Sequence, residues 1–275
     1  MTPASGPGGS TRVPVSVPGL RERKQGGDRI VALTCYDAGF ATCLESASID
    51  LALVGDSLGM VVQGRASTLA VTLDDIVYHS RAVARGLDAT LLVADMPFMS
   101  YRDVPTALAT ATRLMAEGDA AMVKLEGADW VLEIIDALAR RHIPVCAHLG
   151  LTPQSVHRFG GFRVQGRSSV DAERLLADAR AVADAGADLL VLECMPAELA
   201  AQITRAIAIP TIGIGAGAAC DGQILVLHDV LGVTPGRRPR FTRDFLAGSG
   251  SVIAALAAYR DAVRSGEFPS AEHAY

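Results

Sequence analysis

Eight short apolar runs recur along the chain from residue 30 onward, at 30–34, 50–55, 90–94, 120–125, 143–147, 187–192, 209–214 and 223–227. Each is rich in Val, Ile and Leu and nearly continuous. That is the pattern of strands buried on both faces in a parallel sheet. Helical patterns lie between most of them. Asp171 is placed to cap a helix in which Leu175, Leu176, Ala179, Val182 and Ala183 share one face, and Gly186 ends it. Asp129 is placed to cap another, with Trp130, Ile134 and Leu138 at four-residue spacing. Thr72 and Asp75 have the spacing of a capping box, and 243–265 has the pattern of a terminal helix. The starts of the runs are about 28 residues apart on average, the size of one βα unit. Eight such units predict an α/β fold of the (β/α)8 TIM-barrel kind. An open doubly wound sheet seldom needs eight evenly spaced parallel strands.

The N-terminal 28 residues break this pattern. Their Gly, Pro and Ser content, with basic residues near 21–24, predicts a flexible arm over 1–28 followed by a single barrel domain over 29–275. The chain carries 25 Lys+Arg against 30 Asp+Glu, a net charge of −5, which argues against nucleic acid or an anionic membrane as the main partner. Its longest uncharged stretch, 142–157, contains three His and two Pro, so no membrane-spanning helix is expected. No apolar secretory run opens the sequence. Its five cysteines are an odd number without a C-x-x-C pair. Free thiols in a reducing cytoplasm are therefore expected.

In a parallel barrel the carboxyl ends of the strands form the active face. The polar residues that follow the apolar runs there are Asp37, Asp56 with Ser57, Asp95, Glu126, His148, Glu193 and His228 with Asp229. Lys124 stands two residues before Glu126, so both side chains point to one face of a strand. Acidic residues after strands often only cap the next helix. Four carboxylates on one rim, Asp56, Asp95, Glu126 and Glu193, would repel one another and take up protons on burial. A divalent cation relieves that cost, and all-oxygen ligation suits Mg or Mn rather than Zn.

Three other strings carry less. Gly55-Asp56-Ser57-Leu58 spells the tetrapeptide of a serine-hydrolase group that also needs an Asp three residues before a His. The residues three before the six His are Ile76, Ala139, Val145, Gln154, Leu225 and Ser270, and none is Asp. Gly213-x-Gly215-x-x-Ala218 loosely matches a dinucleotide fingerprint, but at the seventh run and without the later carboxylate. It is expected to be a tight loop. His142 and His157 flank His148 without a ligand cluster, and are expected to be structural or exposed.

The strings Thr34-Cys-Tyr-Asp37, Val54-Gly-Asp-Ser-Leu-Gly-Met60, Ala94-Asp-Met-Pro-Phe-Met-Ser-Tyr101, Val123-Lys-Leu-Glu-Gly127, His148-Leu-Gly-Leu-Thr-Pro-Gln154, Val191-Leu-Glu-Cys194 and Ile212-Gly-Ile-Gly-Ala-Gly217 together resemble the ketopantoate hydroxymethyltransferase family, in order, from about residue 20 to about 250. The resemblance implies a barrel of the phosphoenolpyruvate/pyruvate type. It implies transfer of a hydroxymethyl group from 5,10-methylenetetrahydrofolate to 3-methyl-2-oxobutanoate, giving 2-dehydropantoate in pantothenate biosynthesis. It places Mg2+ on Asp56 and Asp95 with Glu126 completing the metal environment, substrate contacts at Asp56, Ser57, Asp95 and Lys124, and a general base at Glu193. It also implies a homo-oligomer, commonly a decamer. No position assigned here departs from the family's strings. The later Phe-Val-Lys string of the family reads Phe241-Thr-Arg243 in this chain.

The chemistry expected from these residues is proton removal from C3 of the 2-oxo acid by Glu193, a Mg-stabilised enolate, charge compensation by Lys124, and a hydrogen bond from His148 nearby. A Mg-dependent lyase or mutase of the same barrel group is the second enzyme reading. Such enzymes use a Cys-bearing mobile loop that is not found here. A barrel serving only as a carrier or scaffold would leave the carboxylate cluster without a purpose.

Overall fold

The computed structural model describes residues 12–234 and 238–275. Eight parallel strands, β1 (Ile30–Thr34), β2 (Leu51–Val54), β3 (Leu91–Asp95), β4 (Met122–Glu126), β5 (Val145–Gly150), β6 (Leu189–Glu193), β7 (Thr211–Ile214) and β8 (Gly222–Leu225), close into a barrel in sequence order. All eight coincide with predicted apolar runs, and every residue in them except Glu193 is buried. Around the barrel lie α1 (Val17–Gly26), α2 (Ala38–Ser46), α3 (Leu58–Val61), α4 (Leu73–Ala84), α5 (Val104–Ala116), α6 (Val131–Ala139), α7 (Val156–Phe159), α8 (Ser169–Asp184), α9 (Ala197–Ala206), α10 (Leu227–Val230) and α11 (Val252–Ser265). One crossover lacks a helix: β7 passes to β8 through 215–221. That tight loop contains Gly215 and Gly217, both at positive φ. A Cβ on Gly215 would stand 2.9 Å from the Phe241 ring.

Part of the predicted arm is ordered. Residues 1–11 lie outside the described residues, but 17–26 form α1, which closes the amino-terminal end of the barrel. Its cations meet acidic residues just before three strands: Arg23 with Asp50 at 2.8 Å, Arg21 with Asp188 at 2.7 Å and Lys24 with Asp221 at 2.9 Å. Leu20 is fully buried beneath it. The Gly and Pro that suggested flexibility sit where helices favour them. Pro18 lies in the first turn and Gly27 forms a left-handed cap at φ 76°.

Helix starts account for the other departures. Ser168, not Asp171, caps α8, and its hydroxyl accepts from Asp171 N. Asp129 is left-handed at φ 58°, so α6 begins beyond it. Trp130 turns outward, half exposed, and stacks on Tyr101 at 5.7 Å. The terminal helix starts at Val252 because left-handed Gly248 and Gly250 break the chain and Ser251 then caps the new helix. The Thr72–Asp75 capping box of α4 forms as predicted. Tyr259 of α11 is fully buried and donates its hydroxyl toward Ala32 O (3.1 Å) and Gln223 O (3.2 Å), sealing the β8–β1 seam. None of the described helices is long and apolar enough to cross a membrane.

Candidate active site at the carboxyl ends of the strands

The barrel's register places the site. Asp95 pairs with Lys124, Glu126 pairs with His148, and Gly150 pairs with Glu193. Each step along β4 and β5 advances two residues, so the side chains of Asp95, Lys124, Glu126, His148 and Glu193 share one face and climb like a staircase. Gly150 lets β5 and β6 approach where Glu193 ends its strand. It has φ +95°, and a Cβ there would stand 2.2 Å from Glu193 O. Leu151 N then donates to that same carbonyl at 2.9 Å.

Lys124 and Asp95 form the inner pair. Their side chains are 5% and 2% exposed, and Nζ donates to Asp95 Oδ1 at 2.5 Å. The second Asp95 oxygen accepts from Asp56 N at 2.9 Å, which fixes the turn carrying Asp56. Glu126 Oε1 stands 3.8 Å from the same ammonium. Burial opposes the charge on Lys124, but Asp95, Glu126 and Asp56 outweigh it and raise its pKa. Burial first, then repulsion from Asp95 and Glu126, pushes the Asp56 carboxyl up to about 8. Burial likewise raises Asp95, against the pull of Lys124.

His148 stands between two carboxylates. Its Nδ1 is 3.3 Å from Glu126 Oε1 and its Nε2 is 3.2 Å from Glu193 Oε2. These are charge contacts: neither ring nitrogen, nor Glu126 Oε1, makes a hydrogen bond. Burial and Lys124 oppose protonation of His148, yet the two carboxylates prevail and push it up to about 9. Glu126 is held below the usual carboxylate range despite its burial, by His148, Lys124 and the Gln154 N–H. Glu193 is 14% exposed on its side chain, against 3% for His148, and so forms the open end of the row.

Among the described residues, no group of three or more His, Cys, Asp or Glu is arranged to hold a metal ion. The expected trio, Asp56, Asp95 and Glu126, lie near enough to repel one another, and Glu126 has both oxygens engaged. Glu126 faces His148 with one oxygen and accepts from Gln154 N at 3.0 Å with the other. Asp56 and Asp95 do come together, linked by the Asp56 N–H. Their chemistry fits a hard cation: two buried carboxylates, one of them pushed toward protonation by burial and then by the neighbouring carboxylates. Mg is commonly held by one or two carboxylates, with water and substrate oxygens supplying the rest.

Ser57 lies beside this pair, its Oγ 2.7 Å from the Tyr36 hydroxyl. Sequence reasoning gave no role to Tyr36, Tyr101 or Gln154. Gln154 is 7% exposed, and its Nε2 donates to Asp56 Oδ2 at 3.0 Å. Tyr101 donates to Gln154 Oε1 at 2.7 Å. All three stand in the strings that carry the family resemblance, but a neutral amide or phenol gives no charge signal. The five cysteines are free thiols, as expected.

The model of the ketopantoate hydroxymethyltransferase family matches residues 14–271. A 3-methyl-2-oxobutanoate hydroxymethyltransferase of Burkholderia thailandensis is 55% identical, over 97% of this chain and 98% of that protein. One from Alkalilimnicola ehrlichii is 57% identical, over 96% of each. Among solved structures, 2,3-dimethylmalate lyase, a member of the PEP mutase/isocitrate lyase superfamily, superposes with a TM-score of 0.54 at 20% identity, covering 76% of this chain and 80% of that one. Phosphonopyruvate hydrolase gives 0.60 at 13% identity, covering 79% and 83%. At those identities the likeness is one of fold, and it agrees with the closed barrel seen here. Over nearly its whole length, the chain belongs to the ketopantoate hydroxymethyltransferase family.

Proposed function

We propose that this enzyme transfers a hydroxymethyl group from 5,10-methylenetetrahydrofolate to 3-methyl-2-oxobutanoate, giving 2-dehydropantoate and tetrahydrofolate, as a step of pantothenate synthesis. The observation that carries the reading is the row Glu193–His148–Glu126 beside the Lys124–Asp95 pair on one barrel face. It sets a partly exposed carboxylate next to a buried cation and a carboxylate pair. Proton abstraction next to a carbonyl needs those parts.

Asp56 and Asp95 would hold a Mg ion directly, and Glu126 would add negative charge behind them. When bound, the ion supplies a Lewis acid that polarises the oxo acid's carbonyl. Lys124 and Ser57 would orient the oxo acid and offset its negative charge. The Glu193 carboxylate would take the C3 proton, leaving the C–H electron pair as an enolate. C3 would then attack the methylene carbon of the folate iminium, forming the C–C bond after the C–N10 bond has opened and N10 has taken a proton. Water would replace N5 on that carbon, its hydroxyl completing the CH2OH group and its proton passing to N5, so that both C–N bonds are broken and the folate departs as tetrahydrofolate. Holding both reactants in line is worth up to ~7–11 kcal/mol in reactions of this kind.

Proton NMR of 3-methyl-2-oxobutanoate in heavy water tests this. Loss of the C3 signal that requires both enzyme and Mg2+, then 2-dehydropantoate on adding methylenetetrahydrofolate, is the expected result. Exchange without product would point to another acceptor, and no exchange from folded, metal-loaded enzyme would overturn the reading.

A further inference from the structure

We propose that Gln154 is a positioning residue that sets Asp56 in the geometry required to receive the divalent cation and fixes the Glu126 carboxylate behind it. Gln154 lies in a short 3-10 turn (Pro153–Ser155) after β5, far in sequence from both carboxylates. Its backbone N–H donates to Glu126 Oε2 at 3.0 Å. Its side-chain Nε2 donates to Asp56 Oδ2 at 3.0 Å and to Met96 O at 3.1 Å. One buried residue thus grips two of the three carboxylates on the inner face.

The amide can face only one way. Met96 O accepts and cannot donate, so Nε2 must point toward it and toward Asp56. The Tyr101 hydroxyl donates to Oε1 at 2.7 Å and holds that orientation from the other side. Tyr101 is 4% exposed, and its ring is stacked under Trp130 at 5.7 Å with an interplanar angle of 9°. The chain of contacts therefore runs from Trp130 through Tyr101 and Gln154 to Asp56. Partners of this kind orient ligating groups, and their loss typically costs ~10–100-fold in metal affinity or activity.

This inference rests on the reading that Asp56 holds the cation, and the test separates the two. Mn2+ alone is titrated into metal-free enzyme and followed by electron paramagnetic resonance, with no substrate present. Gln154→Met should weaken Mn2+ binding at least ~10-fold. Tyr101→Phe should weaken it less, and should add nothing further in the Gln154→Met background, because it acts through the same amide. Asp56→Asn should nearly abolish binding. Wild-type Mn2+ affinity in folded Gln154→Met, with Asp56→Asn impaired, overturns the role of Gln154 and leaves the cation site standing. Wild-type affinity in Asp56→Asn overturns the cation site itself, and the inference with it. Equal losses from Tyr101→Phe in both backgrounds overturn the Tyr101–Gln154 chain. Should Gln154→Met fail to fold, Tyr101→Phe decides alone, and unchanged affinity there rejects the proposal.

Discussion

The His148 Nε2 atom lies 3.2 Å from Glu193 Oε2. A buried imidazole that favours its charged form thus stands directly beneath the one partly exposed carboxylate of the row. In the proposed reaction this contact orients Glu193. His148→Gln should lower kcat at least ~10-fold while KM moves less, since general-base efficiency depends on the placement of the base. A steady-state comparison with wild type checks the split. A rise in KM at unchanged kcat would instead assign His148 to substrate binding.

Glu193→Gln isolates the base itself. The substitution keeps size and hydrogen-bonding shape but removes the proton acceptor. Exchange of the C3 proton in heavy water should fall at least ~100-fold, while binding of Mg2+ and the oxo acid stays close to wild type. Retained exchange would move the base role to another residue.

The barrel was legible because parallel strands covered on both faces must be apolar throughout, and eight such runs at βα spacing leave few alternatives. The charged rim was legible for the same reason: Asp95, Glu126, His148 and Glu193 interrupt or end apolar runs. Gln154 and Tyr101 were not, because their contacts depend on the fold of the turn after β5 rather than on sequence spacing. Helix α1 was missed because composition counts Gly and Pro without position. Pro18 in a first turn and Gly27 at a left-handed cap favour the helix they seemed to exclude. The strand ends show which carboxylates share a rim, not that Glu126 contacts His148 and Gln154.

Asp95 and Lys124 are a buried ion pair, and breaking one side should cost more than removing both. Asp95→Asn takes the closest partner from an ammonium whose side chain is only 5% exposed, leaving it Glu126 at 3.8 Å, and should destabilise the fold by up to roughly 3–5 kcal/mol. The double variant Asp95→Asn/Lys124→Met should recover much of that stability. It should not recover Mg2+ binding or turnover. Urea denaturation and Mg2+ titration of both variants against wild type check the pattern. Recovery of metal affinity in the double variant would remove Asp95 from the ligand pair.

The acid side of the stability profile has a separate source. Glu45, in the last turn of α2, accepts from the backbone N–H groups of Asp88 (3.1 Å), Ala89 (3.2 Å) and Thr90 (3.0 Å), which lead into β3. Burial works to raise its pKa, but these donors outweigh it and hold the carboxyl below its ordinary value. A depressed folded-state pKa gives stability that is present above the unfolded value and lost as pH falls through the folded one. Glu45→Gln should therefore be less stable than wild type at pH 7, by about 1–2 kcal/mol for charge-assisted bonds replaced by neutral ones. The gap should close as pH drops below the folded pKa. Thermal denaturation of both proteins between pH 7 and pH 3 measures this, and a gap that stays constant across the range would show that the side chain acts through shape rather than charge.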